Sequence, residues 1–296
     1  MSIEYSREFK VGEKIDLSSP EYSGRKAELP KPETYLPRLK EKLAALAGRL
    51  NSEHGDFFTT DGRLKMTGAD ADYDQDLLIE KVNGWSEEVS KSPAKFLADL
   101  EKNPSNITEI ATTLLFDKIL GDDFIIVRAS IYDDYENGAD QLIIDKETGV
   151  VICGVDEVIG NIGDDGGEKK SKKIEEKMEG GSAKMKNSGV KIKYGATFRN
   201  EKLVRKELAH IPLFYFSLSK LELDDLLRSL TADSTANPAE TGSSQTEGAV
   251  YLKLVDSLKQ QFQHYIYDKN LNPRLQDNLR NFYPSLVKMA SYVQPK

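Results

Sequence analysis

Three carboxylates in one stretch of the sequence have the types and spacing of a metal site. Asp140 comes just before a short apolar run, and Asp156 and Glu157 come just after the next one. If a tight hairpin puts Asp140 opposite Val155, both point to one face of the sheet, and the two-residue repeat of a strand adds Glu157 to that face. A slip of one residue in register would put Asp156 there instead. Either way, two carboxylates meet at one end of a sheet, an arrangement that suits a metal with oxygen ligands.

The elements that must position these carboxylates are three predicted strands, Phe124–Ile131, Leu142–Ile144 and Val150–Val155. Apolar, β-rich runs separated by turn residues indicate a three-stranded antiparallel meander. The first gap contains Asn137-Gly138, a dipeptide that tolerates positive φ, and the second has Gly149 near its end, as in a short hairpin loop.

Helices are predicted on both sides of the meander. Ser105 can cap a helix over Asn106–Leu120 that carries Glu109 on its first turn. Ser219 can cap another, directly after the apolar run Leu213–Leu218, which reads as a central strand. The order of elements predicts an α+β fold in which helices flank a mixed sheet.

This stretch resembles the core of the PD-(D/E)XK nuclease-like superfamily, in which an acidic residue opens one strand and (D/E)-x-K closes the next. The resemblance covers residues 105–230. It implies that Asp140 and either Glu157 or Asp156 hold Mg²⁺ or Mn²⁺ for the hydrolysis of a phosphodiester, with Glu109 as a further ligand. The alternative interpretation of Glu109 is a favourable interaction with the positive end of its helix dipole.

The lysine of the family motif is missing from its expected place, which here holds Ile159 or Val158. Some members resemble this pattern with the lysine moved to the following helix, and the predicted helix at 168–179 offers Lys169, Lys170, Lys172 and Lys173. The alternative is that these lysines form only a solvated helix face. A nuclease without a lysine near its metal loses a donor that stabilises the attacked phosphate, and one such donor is typically worth ~10²–10³ in the rate of catalysis. The other interpretation of the whole chain is therefore a degenerate, non-catalytic descendant of such an enzyme.

The charge of the chain is uneven. Its net charge is -8, but residues 122–166 hold twelve acidic and two basic side chains, whereas residues 167–206 hold thirteen basic and five acidic ones. A metal site beside a phosphate-binding wall would produce this polarity, and so would an internal salt-bridged surface. The basic residues 169–206 are the candidate contact with nucleic acid. Within them, Lys191, Lys193 and Arg199 are either phosphate contacts or the solvent side of an edge strand.

Composition excludes several other classes of protein. The one cysteine, Cys153, lies in an apolar run, so disulfides and cysteine-rich zinc sites have no place, and the usage fits a reducing cytosol. No G-x-S-x-G or phosphate-loop motif occurs. No run approaches the ~18 apolar residues of a membrane span. We therefore expect a cytoplasmic protein without a membrane partner.

The predicted organisation has helical additions at both ends of the core. Five leucines at alternating spacings of three and four predict an apolar helix face: Leu36, Leu39, Leu43, Leu46 and Leu50. The predicted regions are a flexible arm (1–31), a helical region (32–104), the core (105–230), a flexible linker (231–248) and a C-terminal helical hairpin (249–296). We expect either a metal-dependent nuclease or a non-catalytic interaction module on the same scaffold.

Overall fold

The structure is a computed structural model that describes residues 31–159, 188–199, 202–232 and 243–292. The helices in these ranges are α1 (Pro32–His54), α2 (Ala71–Glu88), α3 (Pro93–Glu101), α4 (Pro104–Leu120), a π-helix (Asp133–Asn137), α5 (Lys220–Thr231), α6 (Ser243–Ile266) and α7 (Pro273–Ser291). The strands are β1 (Phe124–Arg128), β2 (Gln141–Asp145), β3 (Val151–Ile159), β4 (Val190–Ile192), β5 (Ala196–Arg199), β6 (Lys202–Arg205), β7 (Leu208–Ile211) and β8 (Leu213–Leu218). The predicted mixed α+β class is confirmed.

The main sheet has four strands in the order β1-β2-β3-β8, and two small sheets pair β4 with β7 and β5 with β6. β2 is antiparallel to β1 and to β3, whereas β8 is parallel to β3. β8 was predicted to be central, but it lies at the end of the sheet order with all six residues buried. Helix α6 covers this edge: Tyr215 N–H donates to Gln261 Oε1, and Gln261 Nε2 donates to Tyr215 O. An edge strand protected in this way cannot pair with a further strand at that point.

A register shift between β2 and β3 decides where the carboxylates lie. Ile144 pairs with Val151, as a regular hairpin requires, but Ile143 pairs with Cys153, so that Ile152 is an extra residue on β3. The shift puts Gln141, not Asp140, opposite Val155. The pairing of Asp140 with Val155 is therefore wrong, and the register is the one-residue slip given as the alternative. Asp156, which that slip was expected to bring to Asp140, is nevertheless not among the carboxylates grouped with it.

Several element boundaries also differ from those predicted. Helix α4 begins at Pro104, and its cap is Asn103, whose side chain accepts a hydrogen bond from Ser105 N–H. Strand β3 continues to Ile159, because its parallel pairing with β8 extends that far. Asp156 and Glu157 consequently lie within a strand and not after its end.

The terminal helices pack on the same hydrophobic core as the sheet. All five leucines of the predicted α1 face are buried, as expected. The ring of Phe282 in α7 lies 4.9 Å from that of Phe214 in β8. Helix α7 continues through Pro284 to Ser291. Helix α6 begins at Ser243, inside the segment predicted as a linker.

Several predicted features lie outside the described residues. These are the arm up to residue 30, the helix at 168–179 with Lys169, Lys170, Lys172 and Lys173, and the linker at 233–242. Within the described ranges, no helix combines the length and the apolar character needed to cross a membrane.

Candidate metal centre

Three carboxylates from different elements converge beside the main sheet. Ligand oxygens of Glu109, Asp134 and Asp140 all lie within 4.8 Å of one another, which makes these residues, among those described, the group able to hold a metal ion. Glu109 comes from the second turn of α4, Asp134 from the π-helix and Asp140 from the position before β2. We call these three residues the carboxylate cluster. Its donors are all hard oxygen atoms, which fits Mg²⁺, Mn²⁺ or Ca²⁺ better than a softer metal.

The π-helix is the element that brings Asp134 into the cluster. It ends at Gly138, which has the left-handed conformation (φ 65°, ψ 40°), so the positive φ expected of the Asn137-Gly138 turn is present. Asp133 anchors the segment, since its carboxylate accepts from the Ser130 hydroxyl and from the backbone N–H of Lys193 and Tyr194. Such single π turns are rare and occur often at functional sites.

Two arginines contact the carboxylate cluster. Arg128 Nη2 donates to Glu109 Oε2 at 2.6 Å, and Arg63 Nη2 lies 3.3 Å from the same oxygen. Arg63 Nη1 also lies 3.0 Å from Asp134 Oδ2. The cluster therefore combines three carboxylates with two guanidinium groups. These ion pairs are made by Glu109 Oε2 and Asp134 Oδ2.

Burial makes the cluster electrostatically unusual. The pKa of the Asp134 carboxyl is raised to about 7, chiefly because the group is buried; Glu109 and Asp140 contribute in the same direction, while Arg63 and Arg128 oppose them. Near neutral pH the Asp134 carboxyl is therefore partly protonated. A divalent cation held by the same carboxylates would favour the ionised form of Asp134.

Glu157 supports the cluster through its backbone and contributes no oxygen to it. Its N–H donates to Asp140 Oδ2 at 2.8 Å, and its own Oε1 accepts from Thr112 Oγ1 of α4 at 3.0 Å. Gln141 Nε2 donates to the same Thr112 oxygen at 2.6 Å. Glu157 thus belongs to a buried polar network between α4 and the sheet. Asp156 is also buried, and strand alternation turns it to the opposite face of the sheet.

Two buried atoms beside the cluster have no hydrogen-bond partner among the described residues. One is Gln141 Oε1, an acceptor, and the other is Arg128 Nε, a donor. Gln141 follows Asp140 in the chain, and its amide donates to the carbonyl oxygen of Glu109. Unsatisfied buried groups of this kind are costly, and their position is consistent with water or a ligand at the cluster.

The lysines proposed as phosphate contacts are occupied by acidic partners. Lys191 Nζ lies 2.7 Å from Glu207, on an exposed surface. Lys193 Nζ lies 2.6 Å from Asp74 of α2, which is itself buried. Arg199 is exposed at the end of β5. In the described part of the basic stretch, Lys191 and Lys193 therefore form ion pairs with acidic residues of the same chain.

Sequence reasoning placed Glu109 and Asp140 near each other but missed Asp134, Arg63 and Arg128. Asp134 lies in an acidic segment that was interpreted as a turn. Arg128 did carry a usable signal, because an arginine within an otherwise apolar run must find a buried anionic partner.

These features define a mixed α+β protein with a buried, arginine-balanced carboxylate cluster. Comparisons with protein-family models, with curated proteins and with solved structures found no match. The chemistry of the cluster is therefore the guide to function.

Proposed function

We propose that the protein is a divalent-metal-dependent phosphodiesterase that acts on nucleic acid. The observation that carries this proposal is the convergence of Glu109, Asp134 and Asp140, with ligand oxygens within 4.8 Å of one another. Bringing three carboxylates together in a buried place costs free energy through mutual repulsion and desolvation. A bound divalent cation offsets that cost, and Mg²⁺ or Mn²⁺ matches the oxygen donors.

Each residue of the site has a distinct part in this proposal. Glu109, Asp134 and Asp140 would hold the metal, which when bound supplies Lewis acidity toward a phosphate oxygen and toward a water molecule. In the overall hydrolysis, the water oxygen bonds to phosphorus, the bond to one ester oxygen breaks, and that oxygen leaves with a proton. The Glu157 N–H fixes the orientation of the Asp140 carboxylate through its hydrogen bond to Oδ2.

Support for nucleic acid as the substrate comes from the sequence. The resemblance to the nuclease-like superfamily covers the elements that build the cluster, from α4 to α5. Residues 167–206 hold thirteen Lys or Arg; Lys191 and Lys193 are engaged by acidic partners, and the others add positive charge to the segment that follows β3. Nucleic-acid backbones are recognised mainly by such charges.

The test is a calorimetric titration of the metal-stripped protein with Mn²⁺. We expect one site in the wild type and binding at least ~10-fold weaker in Asp140→Asn, because the variant loses a charged ligand. Asp117→Asn is the matched control, since Asp117 lies in the last turn of α4 and pairs with Arg49 outside the cluster. Mn²⁺-dependent cleavage of labelled DNA and RNA, lost in Asp140→Asn, completes the test. Absence of Mn²⁺ binding by the wild type rules out the proposal.

A second candidate is a non-catalytic interaction module in which the cluster has only a structural role. The observation in its favour is that Arg63 and Arg128 already neutralise much of the carboxylate charge. A module of this kind would melt at the same temperature with Mn²⁺ or with a chelator. The phosphodiesterase should gain about 2.7 kcal/mol of stability when free Mn²⁺ is 100 times its Kd.

A further inference from the structure

A phosphodiesterase site needs a cation beside its metal, because negative charge increases on the phosphate oxygens in the transition state. The family lysine is absent from its place, where this chain has Val158 or Ile159. In the described part of the chain, the cationic side chains within ion-pair distance of Glu109 and Asp134 are those of Arg63 and Arg128.

These two arginines differ in how deeply their side chains are buried and in how short their contacts with the cluster are. The Arg128 side chain is only 2% exposed, and its Nη2 is held by both Glu109 and Asn106 at 2.6 Å. The Arg63 side chain is 12% exposed, and its contacts with the cluster are longer, 3.3 Å to Glu109 and 3.0 Å to Asp134. Arg63 also donates to the Ala129 carbonyl oxygen at 3.2 Å and lies 3.5 Å from Asp61 Oδ2. Arg128 is the more deeply buried of the two, and Arg63 is the one with a side chain partly open to solvent.

The backbone on either side of Arg63 is nevertheless fixed. Residues 55–64 form a loop, which we call the 55–64 loop, that pairs with the end of β1 through a parallel bridge between Arg63 and Arg128. Arg128 N–H donates to Gly62 O at 3.1 Å, and Leu64 N–H donates to Arg128 O at 3.0 Å. The loop therefore fixes the position of the Arg63 Cα beside the cluster.

Metal binding would change what Arg63 does. Without a metal, its guanidinium group offsets the charge of Glu109 and Asp134. With a divalent cation on the same carboxylates, the Arg63 guanidinium group would no longer be needed to neutralise them and would be repelled. A substrate phosphate would then be its favoured partner, because the planar fork of an arginine matches two phosphate oxygens.

We propose, on the basis of the phosphodiesterase function above, that Arg63 is the phosphate-binding cation of the site and takes the place of the missing family lysine. It is supplied by a loop that lies outside the α4–β8 core, and it exchanges carboxylate contacts for phosphate contacts when the metal and the substrate bind. Arg63 is then a catalytic residue, whereas Arg128 positions Glu109.

Binding of thymidine 5′-monophosphate to the Mn²⁺-saturated protein tests this role. We expect the wild type to bind the nucleotide only with Mn²⁺, and Arg63→Gln to bind it about 10–100-fold more weakly, because a charge-assisted hydrogen bond is lost. Arg63→Gln should bind Mn²⁺ as tightly as the wild type or more tightly, since a competing cation is gone. Arg280→Gln is the matched control, because Arg280 pairs with Asp277 on the exposed surface of α7 and makes no ion pair with the cluster in the described ranges.

The outcomes separate this inference from the proposed function. If the wild type binds no Mn²⁺, the phosphodiesterase proposal fails and this role for Arg63 fails with it. If Mn²⁺ binds but Arg63→Gln holds the nucleotide as well as the wild type, only the role of Arg63 is overturned. If Arg63→Gln does not fold or loses Mn²⁺ binding, the variant Arg63→Lys is measured in its place. Weaker nucleotide binding by Arg63→Lys than by the wild type supports a bidentate contact of Arg63 with the phosphate. Unchanged nucleotide binding refutes that contact.

Discussion

Thr112 has one hydroxyl group that links helix α4 to two strands. Its Oγ1 lies 3.0 Å from Glu157 Oε1 and accepts from Gln141 Nε2 at 2.6 Å. The carbonyl oxygens of Thr108 and Glu109 in its own helix, at 2.9 and 3.1 Å, compete with Glu157 for its one proton. Glu157 in turn fixes Asp140 through its backbone N–H. A residue outside the carboxylate cluster therefore helps to set the geometry of one of its members.

The substitution Thr112→Val tests this linkage with little change in side-chain shape. We expect a loss of about 1–3 kcal/mol in the free energy of unfolding, because a buried carboxylate oxygen and a buried amide lose a partner. Thr113→Val is the control: Thr113 is equally buried, but its hydroxyl donates only to the Glu109 carbonyl oxygen of its own helix. Urea unfolding of both variants measures the difference, and equal losses would show that the Thr112 linkage contributes nothing.

At the scale of elements, the 55–64 loop depends on one glycine. Gly62 has φ +73°, and a Cβ built on it would lie 2.8 Å from Leu43 Cδ1 of α1. The loop must therefore pass close to α1 in a conformation that disfavours side chains. Since Gly62 O accepts from Arg128 N–H, this turn also determines where Arg63 lies.

We expect Gly62→Ala to destabilise the protein by about 1–2 kcal/mol through backbone strain, with some further cost from the Leu43 contact. Gly48→Ala provides the control: Gly48 is exposed in α1, with nothing within 4 Å of an added Cβ. That variant should be about 1 kcal/mol more stable than the wild type, because alanine favours the helix. Thermal unfolding of the two variants should thus shift in opposite directions, and a shift in the same direction would contradict the role assigned to Gly62.

The elements themselves were largely predictable, whereas their exact register was not. Periodicity identified the α1 face, and apolar runs identified β1, β2, β3 and β8, because burial of a face requires those patterns. The extra residue Ile152 on β3 has no sequence signal, since the run Val150–Val155 reads as a regular strand. Asp134 and Arg63 were missed for a related reason: both lie in irregular segments that tertiary contacts, not local pattern, bring to the cluster.

At the scale of the whole molecule, one hydrophobic core joins the sheet to the terminal helices. Buried apolar residues of α1, α4, the main sheet, α6 and α7 all belong to this hydrophobic core. Polar contacts reinforce the joins, as when Tyr251 of α6 donates to the Met289 carbonyl oxygen of α7 at 2.8 Å. Glu247 near the start of α6 accepts from Ser229 of α5 and pairs with Lys118 of α4. The C-terminal hairpin is therefore part of the structural unit that carries the site.

Cys153 reports on the integrity of this unit. It lies in β3 with 0% exposure, and burial raises the pKa of its thiol, so the reactive thiolate is disfavoured in the folded protein. We expect a disulfide reagent to label Cys153 only as fast as the whole molecule unfolds. In a urea series, the midpoint of labelling should coincide with that of the loss of helical circular dichroism. Labelling at lower urea than the loss of helix would instead show that β3 opens locally, and the terminal helices would then not be part of one cooperative unit with the sheet.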